Sequence, residues 1–141
     1  MDVDGKPVTV VNAHLNSSLR PRSVRTDTIS IPDRLDNAAD VRSVQVAAVL
    51  DAIDNVHTPL IVAGDFNTPP RGRVYRRIAH RLSDSFRAAG WGLGYTFRSD
   101  VPVLRIDYVF LGGGARATRC EVPLTGASDH LPVVADIAIP R

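Results

Sequence analysis

A short apolar run near the middle of the chain constrains the fold more than any other feature. Residues 59–63 read Pro-Leu-Ile-Val-Ala, and Gly64-Asp65-Phe66-Asn67 follows directly. An unbroken apolar run of this length is typical of a strand buried on both faces, as in α/β proteins whose sheets are covered by helices. Ligands bind at the rim of such sheets, where the strands end. The run therefore predicts an α/β fold with Asp65 and Asn67 at a functional rim.

The rest of the chain supplies further elements of an α/β fold. A β-branched run over residues 7–15 predicts a strand that ends near His14, and residues 16–32 read as a long loop. A helix is expected to begin at residues 30–33 and to pack on the sheet through an apolar stripe. The stripe consists of Val41, Val44, Ala48 and Ala52, flanked by Val49, Ile53 and Val56. The remaining predicted elements are a short basic helix over residues 74–82 and three strands over residues 104–111, 117–122 and 131–139.

Bulk properties exclude several classes of protein. A length of 141 residues suits one domain, and a net charge of +2 is too small to imply a nucleic-acid or membrane partner by itself. The single cysteine, Cys120, rules out an internal disulfide and a cysteine-based metal cage. No apolar run reaches the length of a membrane span, and the polar start does not resemble a signal peptide. A cytoplasmic location is the default expectation.

Polar residues of the kinds used in catalysis lie at four predicted strand ends or adjoining turns. Such positions converge on one rim of an α/β sheet. Each also has a structural explanation. A lone histidine such as His14 is more often a surface or core residue satisfied by hydrogen bonds than a catalyst, and Asp65 with Asn67 reads equally as an Asx turn that caps a helix. The four groups are His14, Asp65 with Asn67, Arg105 with Asp107, and Asp129 with His130.

Asp107 and His130 are the more informative of these residues. Asp107 interrupts an apolar strand, where a carboxylate is costly unless a hydrogen-bond donor satisfies it. Arg105, two residues earlier on the same strand face, is one candidate donor through solvent. His130 is another, because a carboxylate that accepts from one ring nitrogen fixes the tautomer and leaves the other nitrogen for a phosphate oxygen. Asp129 offers a hard oxygen ligand suited to Mg²⁺.

Taken together, these motifs resemble one known family. The chain is similar to the C-terminal half of the endonuclease/exonuclease/phosphatase superfamily, which includes DNase I, apurinic endonucleases, bacterial sphingomyelinases and inositol polyphosphate 5-phosphatases. The matching segments occur in the family's order and cover nearly the whole chain. They are Val11-Asn12-Ala13-His14-Leu15, Gly64-Asp65-Phe66-Asn67-Thr68, Arg105-Ile106-Asp107-Tyr108-Val109-Phe110 and Ser128-Asp129-His130-Leu131-Pro132-Val133.

The resemblance implies a role for each matching residue in hydrolysis of a phosphoester. Asp65 would orient or deprotonate the attacking water and contact the metal, and Asn67 would stabilise the transition state. Asp129 would ligate Mg²⁺, with Mn²⁺ as an alternative. His130, held by Asp107, would bind or protonate a phosphate oxygen, and His14 would lie on the other side of the phosphate. The further phosphate contacts that we expect are Asn12, Arg71 and Arg73.

The resemblance also implies a domain nearly twice this length. Over residues 1–141 the chain would be a partial domain, half of a four-layer α/β/β/α sandwich, and the family's metal-binding Asn and Glu would precede Met1. The only glutamate, Glu121, matches no ligand motif. We therefore expect an isolated chain with impaired catalysis. We also expect self-association, or pairing with an N-terminal half, because half a sandwich exposes an apolar sheet face.

Two questions stay open at the level of sequence. The substrate is either a nucleic acid or a phospholipid or sugar phosphate. The arginines within residues 20–25 and 71–77 could follow a nucleic-acid backbone, although such clusters are also ordinary solvated surface. Trp91 and Tyr95 are candidates for stacking on bases, or are simply packed in a glycine-rich loop. The alternative to an enzyme is a non-catalytic remnant that acts as an interaction module.

Overall fold

The chain folds as an α/β protein around a mixed four-stranded sheet. The computed structural model describes residues 1–17 and 31–140, with side chains in the second stretch from residue 39 onward. In chain order the elements are β1 (Asp2–Val3), β2 (Lys6–Pro7), β3 (Thr9–His14), α1 (Ile31–Ile53), β4 (Leu60–Asp65), α2 (Arg73–Ala79), β5 (Ser83–Asp84), α3 (Ser85–Ala89), β6 (Asp107–Gly112), β7 (Arg116–Glu121) and β8 (Val134–Ala138).

The strand order places β4 at the centre of the sheet. The sheet runs β3-β4-β6-β5, with β4 parallel to β3 and antiparallel to β6. A separate antiparallel pair, β7 and β8, follows later in the chain, and α3 packs against β7. β4 is paired on both edges, and Leu60 and Val62 are buried in the core. Ile61 and Ala63 on the other face are only half-buried, so β4 is less completely covered than its apolar sequence predicts.

Most predicted strands and helices are found within a few residues of their expected ends. The sequence did not predict the hairpin β1–β2, the short strand β5 or the five-residue helix α3. The hairpin turns at Asp4 and Gly5, both with positive φ, and α3 starts where the Asp84 carboxylate accepts the backbone N–H groups of Phe86 and Arg87. The predicted loop over residues 16–32 lies mostly outside the described residues.

The predicted buried stripe of α1 is wrong for its central residues and right for the flanking residues Val49, Ile53 and Val56, which lie in or against the core. Val41 and Val44 are exposed, whereas Val46, Leu50 and Ile53 are buried in the core. Both sets have helical spacing, and the buried set carries the larger side chains toward its C-terminal end. Burial of Leu and Ile removes more apolar area from water than burial of the alanines at positions 48 and 52, and this difference decides which face turns inward.

An aromatic cluster forms the core between the sheet and the two longer helices. Phe66, Tyr108 and Phe110 are almost fully buried, and neighbouring rings meet at centroid distances of 5.2–5.8 Å. Tyr75 of α2 joins this cluster. The opposite face of the sheet is less covered: Val10 is 47% exposed, and a groove of about 590 Å³ runs between this face and residues 125–133.

Candidate active site

Three polar residues form a row across the rim of the sheet. His14 ends β3, Asp65 ends β4 and Asp107 begins β6, and the strand register pairs His14 with Asp65 and Asp65 with Asp107. Residues paired in this way point to the same face of a sheet. The Nε2 atom of His14 lies 3.6 Å from Oδ2 of Asp65, and the side chain of Asp65 is only 16% exposed. The structure thus brings together three groups that lie far apart in sequence.

Asn67 holds the Asp65 carboxylate in a tight turn. Its backbone N–H donates to Oδ1 of Asp65 at 2.8 Å, and its side-chain amide donates to Oδ2 of Asp65 and to the carbonyl of Leu15, both at 2.9 Å. Asn67 has a φ of +46°, a conformation that asparagine adopts more readily than most residues. The two residues proposed for the rim, Asp65 and Asn67, therefore also form the Asx turn. The side-chain oxygen of Asn67 makes neither of these hydrogen bonds.

The donor that satisfies Asp107 is His130. The Nδ1 atom of His130 lies 2.9 Å from Oδ2 of Asp107, and both side chains are largely covered. A proton on Nδ1 that is donated to Asp107 leaves the Nε2 atom free to meet an anion. The predicted pair of carboxylate and imidazole is present in the fold.

Arg105 is not the partner of Asp107, and the expectation of a solvent-mediated or surface contact is wrong. Its guanidinium is buried and donates to both carboxylate oxygens of Asp84, at 3.0 and 2.7 Å. The Tyr75 hydroxyl also donates to Asp84 at 2.7 Å. Arg105 precedes β6 and turns toward the core, where three aromatic rings surround its guanidinium at 4.8–6.0 Å.

Negative charge is concentrated where the row meets His130. Ligand atoms of Asp65, Asp107 and His130 all lie within 4.8 Å of one another. The pKa of Asp65 is raised, mainly because burial penalises its charge and also because Asp107 repels it, and the hydrogen bond from Asn67 only partly offsets this. Two carboxylates and one imidazole form a group that could hold a divalent metal ion. A cation would relieve the repulsion between the two carboxylates.

The predicted metal ligand Asp129 lies beside this cluster but is not one of its three members among the described residues. Its side chain is exposed, and Oδ1 lies 3.3 Å from the hydroxyl of Ser128. Asp129 lies in a bend directly before His130, and its charge is one of the influences that raise the pKa of His130.

The predicted phosphate contacts have different surroundings. Asn12 is exposed two residues before His14, on the same face of β3. Arg71 is exposed in the turn after Asn67, and Arg73 is exposed with NH2 3.4 Å from Oδ1 of Asp40 on α1. A surface ion pair of this kind is weak enough for a phosphate to displace.

Some residues of interest fall elsewhere. The arginines at positions 20, 22 and 25 lie outside the described residues. Trp91 is 95% exposed, so the interpretation of this residue as packed in its loop is wrong.

Sequence reasoning missed Phe97, whose ring lies 4.8 Å from the ring of His130 at an angle of 49°. No periodicity or motif singled out this contact, because it joins residues 33 positions apart.

Replacement of Asp107 by asparagine is expected to lower the pKa of His130. That pKa is raised: burial is the largest influence and opposes the charge, but the hydrogen bond to Asp107 and the negative charges around the ring outweigh it. Since the folded-state pKa is raised, the pair stabilises the fold most below the ordinary histidine pKa, and this contribution is lost as pH rises through the raised value. An NMR titration of the ring measures the shift.

Asp129→Asn is the matched control for this prediction, because Asp129 has the weakest of the cited effects on His130. We expect it to move the His130 pKa less than Asp107→Asn does. An unchanged pKa in Asp107→Asn would contradict the pairing.

An α/β fold with this site has the architecture of DNase I-like proteins. A family model described as the Endonuclease/Exonuclease/phosphatase family matches residues 4–130. The chain belongs to this family. No curated protein matches the chain at a significant level. In residues 1–17 and 31–140, no helix combines the length and apolarity needed to cross a bilayer.

Solved structures share the fold at low sequence identity. A conserved protein of unknown function from Enterococcus faecalis V583 has a TM-score of 0.71 and 21% identity over 93% of this chain and 50% of its own. A humanised TDP2 from D. rerio has a TM-score of 0.69 and 18% identity over 97% and 57%. A mannosyl-6-phosphatase from Bacteroides thetaiotaomicron has a TM-score of 0.60 and 20% identity over 73% and 46%. The chain thus spans about half the length of these structures.

Proposed function

We propose that the site belongs to a metal-dependent phosphoesterase that hydrolyses a phosphodiester with an activated water molecule. The observation that carries this proposal is the row of His14, Asp65 and Asp107 across three adjacent strands, with His130 bonded to its end. Membership of the Endonuclease/Exonuclease/phosphatase family supports it. Phosphoester hydrolysis needs a base for water, positive groups around the phosphate and a cation, and the rim offers residues for each.

The surroundings of each side chain suit a particular role. Asp65 orients or deprotonates the water, since its raised pKa makes it a better base than an exposed carboxylate. His130 presents Nε2 to a phosphate oxygen, and its raised pKa favours the charged form that binds an anion. The more exposed His14 lies on the other side of Asp65 and neutralises charge or assists the leaving group. Asn67 contributes to the transition state by holding the Asp65 carboxylate in position through its backbone N–H and its side-chain amide.

Asp65 and Asp129 are the residues that would hold Mg²⁺ or Mn²⁺. The metal, when bound, would polarise a phosphate oxygen and stabilise the charge that develops on it. Asp107 is engaged by His130 and contributes mainly negative charge to this region. Mg²⁺ is typically held by one or two carboxylates together with water and substrate oxygens, and this number matches what the rim provides.

The substrate class that we favour is a phosphodiester, with nucleic acid as one candidate. Arg71 lies in the turn between Asn67 and α2, and Arg73 is the first residue of α2. Both would extend the contact surface along a phosphate backbone, with Asn12 on the opposite side of the row. Arginine suits this task because its planar guanidinium binds phosphate oxygens in pairs.

We expect the isolated chain to be a poor catalyst of bis-p-nitrophenyl phosphate hydrolysis. Any rate above the buffer background should require Mg²⁺ or Mn²⁺ and disappear in Asp65→Ala, because the variant removes both the proposed base and a metal ligand. Asp54→Ala, which removes an exposed carboxylate at the end of α1, should leave that rate unchanged. The assay uses high protein concentration and compares initial rates with and without a chelator.

The possible results separate the proposals. Rapid hydrolysis by the wild-type chain, lost in Asp65→Ala, would contradict impaired catalysis and strengthen the enzymatic assignment. A rate that survives Asp65→Ala would contradict the site. If the chain neither hydrolysed the substrate nor bound inorganic phosphate, the result would favour the second candidate, a non-catalytic interaction module. The exposed apolar face of the sheet is the observation that supports this candidate.

We also propose that a second sheet covers the site face, supplied by an N-terminal half-domain or by another copy of the chain. Val10 and Val134 are each more than 40% exposed, and the groove beside them is lined mainly by Ala63, Val109, Leu131 and Val133. Exposed apolar surface of this kind drives association in water. For the isolated chain the expected occupant is a second copy, so light scattering should give the mass of a dimer or larger species. A stable, well-folded monomer would contradict this.

A further inference from the structure

Thr96 lies between the two partners of the Asp107–His130 hydrogen bond. Thr96 is fully buried, although its neighbours in the sequence do not form an apolar run that would predict burial. Its hydroxyl oxygen accepts from the backbone N–H groups of Ile106 at 3.1 Å and Asp107 at 3.2 Å. Its carbonyl oxygen accepts from the N–H of Leu131 at 2.7 Å. One residue therefore contacts the main chain at Asp107 and the main chain next to His130.

The residues that follow Thr96 strengthen this connection. The N–H of Ser99 donates to the carbonyl of Asp129 at 2.9 Å, and Phe97 pairs with both Leu104 and His130 in isolated β-bridges. The Phe97 ring packs on the imidazole at a centroid distance of 4.8 Å. Residues 96–99 thus form a strand-like segment that joins the start of β6 to the segment carrying His130.

We propose that Thr96 and Phe97 are positioning residues that set the separation and orientation of Asp107 and His130. Thr96 fixes the distance between the two main chains, and Phe97 restricts rotation of the imidazole. The importance of Thr96 and Phe97 for catalysis rests on the proposed function. Their effect on the position of Asp107 and His130 does not depend on whether the chain is active. A hydrogen bond of 2.9 Å is lost when its atoms separate by less than 1 Å, so small shifts at either main chain matter.

Thr96→Val tests the role of the hydroxyl oxygen with little change of shape. The variant leaves the N–H groups of Ile106 and Asp107 without their buried acceptor, so that main chain should shift or admit water. Thr96→Ser keeps the acceptor and is the conservative rescue. Ile78→Ala, in the core on α2, is the control for loss of stability alone, because Ile78 is 1% exposed and packs in the core cluster on the covered face of the sheet.

The readout is the tautomer of His130, measured from ring ¹⁵N chemical shifts at a pH where the ring is neutral. Wild type, Thr96→Ser and Ile78→Ala are expected to keep the proton on Nδ1, facing Asp107. Thr96→Val is expected to move a measurable fraction of the population to the Nε2–H form, because the partner of Nδ1 is displaced. Phe97→Leu, which leaves the main-chain bonds intact, is expected to do so to a smaller extent and serves as the decisive variant if Thr96→Val does not fold.

An unchanged Nδ1–H tautomer in folded Thr96→Val overturns the role of Thr96, and an unchanged tautomer in Phe97→Leu overturns that of Phe97. A tautomer change in Ile78→Ala equal to that in Thr96→Val also overturns the proposal, since loss of stability would then explain both. Failure of the proposed function is distinguishable: wild type would show no Asp65-dependent phosphodiester hydrolysis while the tautomer pattern across the variants remained as expected.

Discussion

Replacement of Gly64 by alanine is expected to prevent stable folding of the chain. Gly64 lies in β4 with a φ of +140°, and a Cβ atom built there would lie 1.9 Å from the carbonyl oxygen of Ala13 on β3. Both strands would have to separate where the row of polar residues begins. A cost above about 4 kcal/mol is expected from the strain and the clash together, a large part of the stability of a small domain. Circular dichroism and urea unfolding measure the effect.

Two other glycines provide matched controls. Gly126→Ala meets no atom within 4 Å and should change the unfolding midpoint very little. Gly5→Ala also meets no atom but has a φ of +78°, so it should show the cost of backbone strain alone, about 1 kcal/mol. If Gly64→Ala unfolded at the wild-type urea concentration, the close approach of β3 and β4 would be contradicted.

Replacement of Asp84 by asparagine is expected to be the most damaging change away from the rim. Asp84 is the carboxylate that neutralises the buried Arg105 and accepts from the Tyr75 hydroxyl. Asparagine keeps one oxygen that can cap α3, but the variant removes the charge and replaces the second oxygen, which accepts from Arg105 and Tyr75, with an amide donor. Loss of one partner leaves a buried charge uncompensated, which typically costs about 3–5 kcal/mol. The loss is measured as a shift of the urea unfolding midpoint.

The control for this variant is Asp54→Asn, which breaks the exposed ion pair with Arg81. Solvent screens that pair, so the unfolding midpoint should hardly move. Equal destabilisation by Asp84→Asn and Asp54→Asn would contradict the importance of the buried pair. Arg105 lies two residues before Asp107, so a larger effect of Asp84→Asn would also be expected to disturb the position of Asp107 at the start of β6.

The parts of the fold that could be predicted from sequence are those with a local pattern. The apolar run of β4 identified the central strand, and strand termini that carry Asp65, Asp107 and His14 follow from the rule that ligands bind where strands end. The Asp107–His130 contact was also predictable, because a carboxylate within an apolar strand needs a donor. In each case the residue and its neighbours in the sequence give the physical reason for the prediction.

The remaining features depend on contacts that sequence spacing does not encode. The partner of Arg105 is 21 residues away at the end of another strand, and the side-chain direction that selects it depends on packing around three rings. The buried face of α1 was predicted wrongly because Val41 and Val44 have the same spacing as the true inner face. Thr96 gives no signal at all, since a single threonine before an aromatic residue is ordinary in strands.

The central claim is that one phosphate and one cation bind together at the rim, with the cation at Asp65 and Asp129 and the phosphate facing His130, which Asp107 holds. The most direct measurement is a crystal structure of the chain with Mn²⁺ and inorganic phosphate, in which anomalous scattering locates the metal. We predict a Mn²⁺ peak within bonding distance of an Asp65 oxygen and a phosphate oxygen facing Nε2 of His130. Mn²⁺ bound away from Asp65, or phosphate bound only at the arginines of α2, would contradict it.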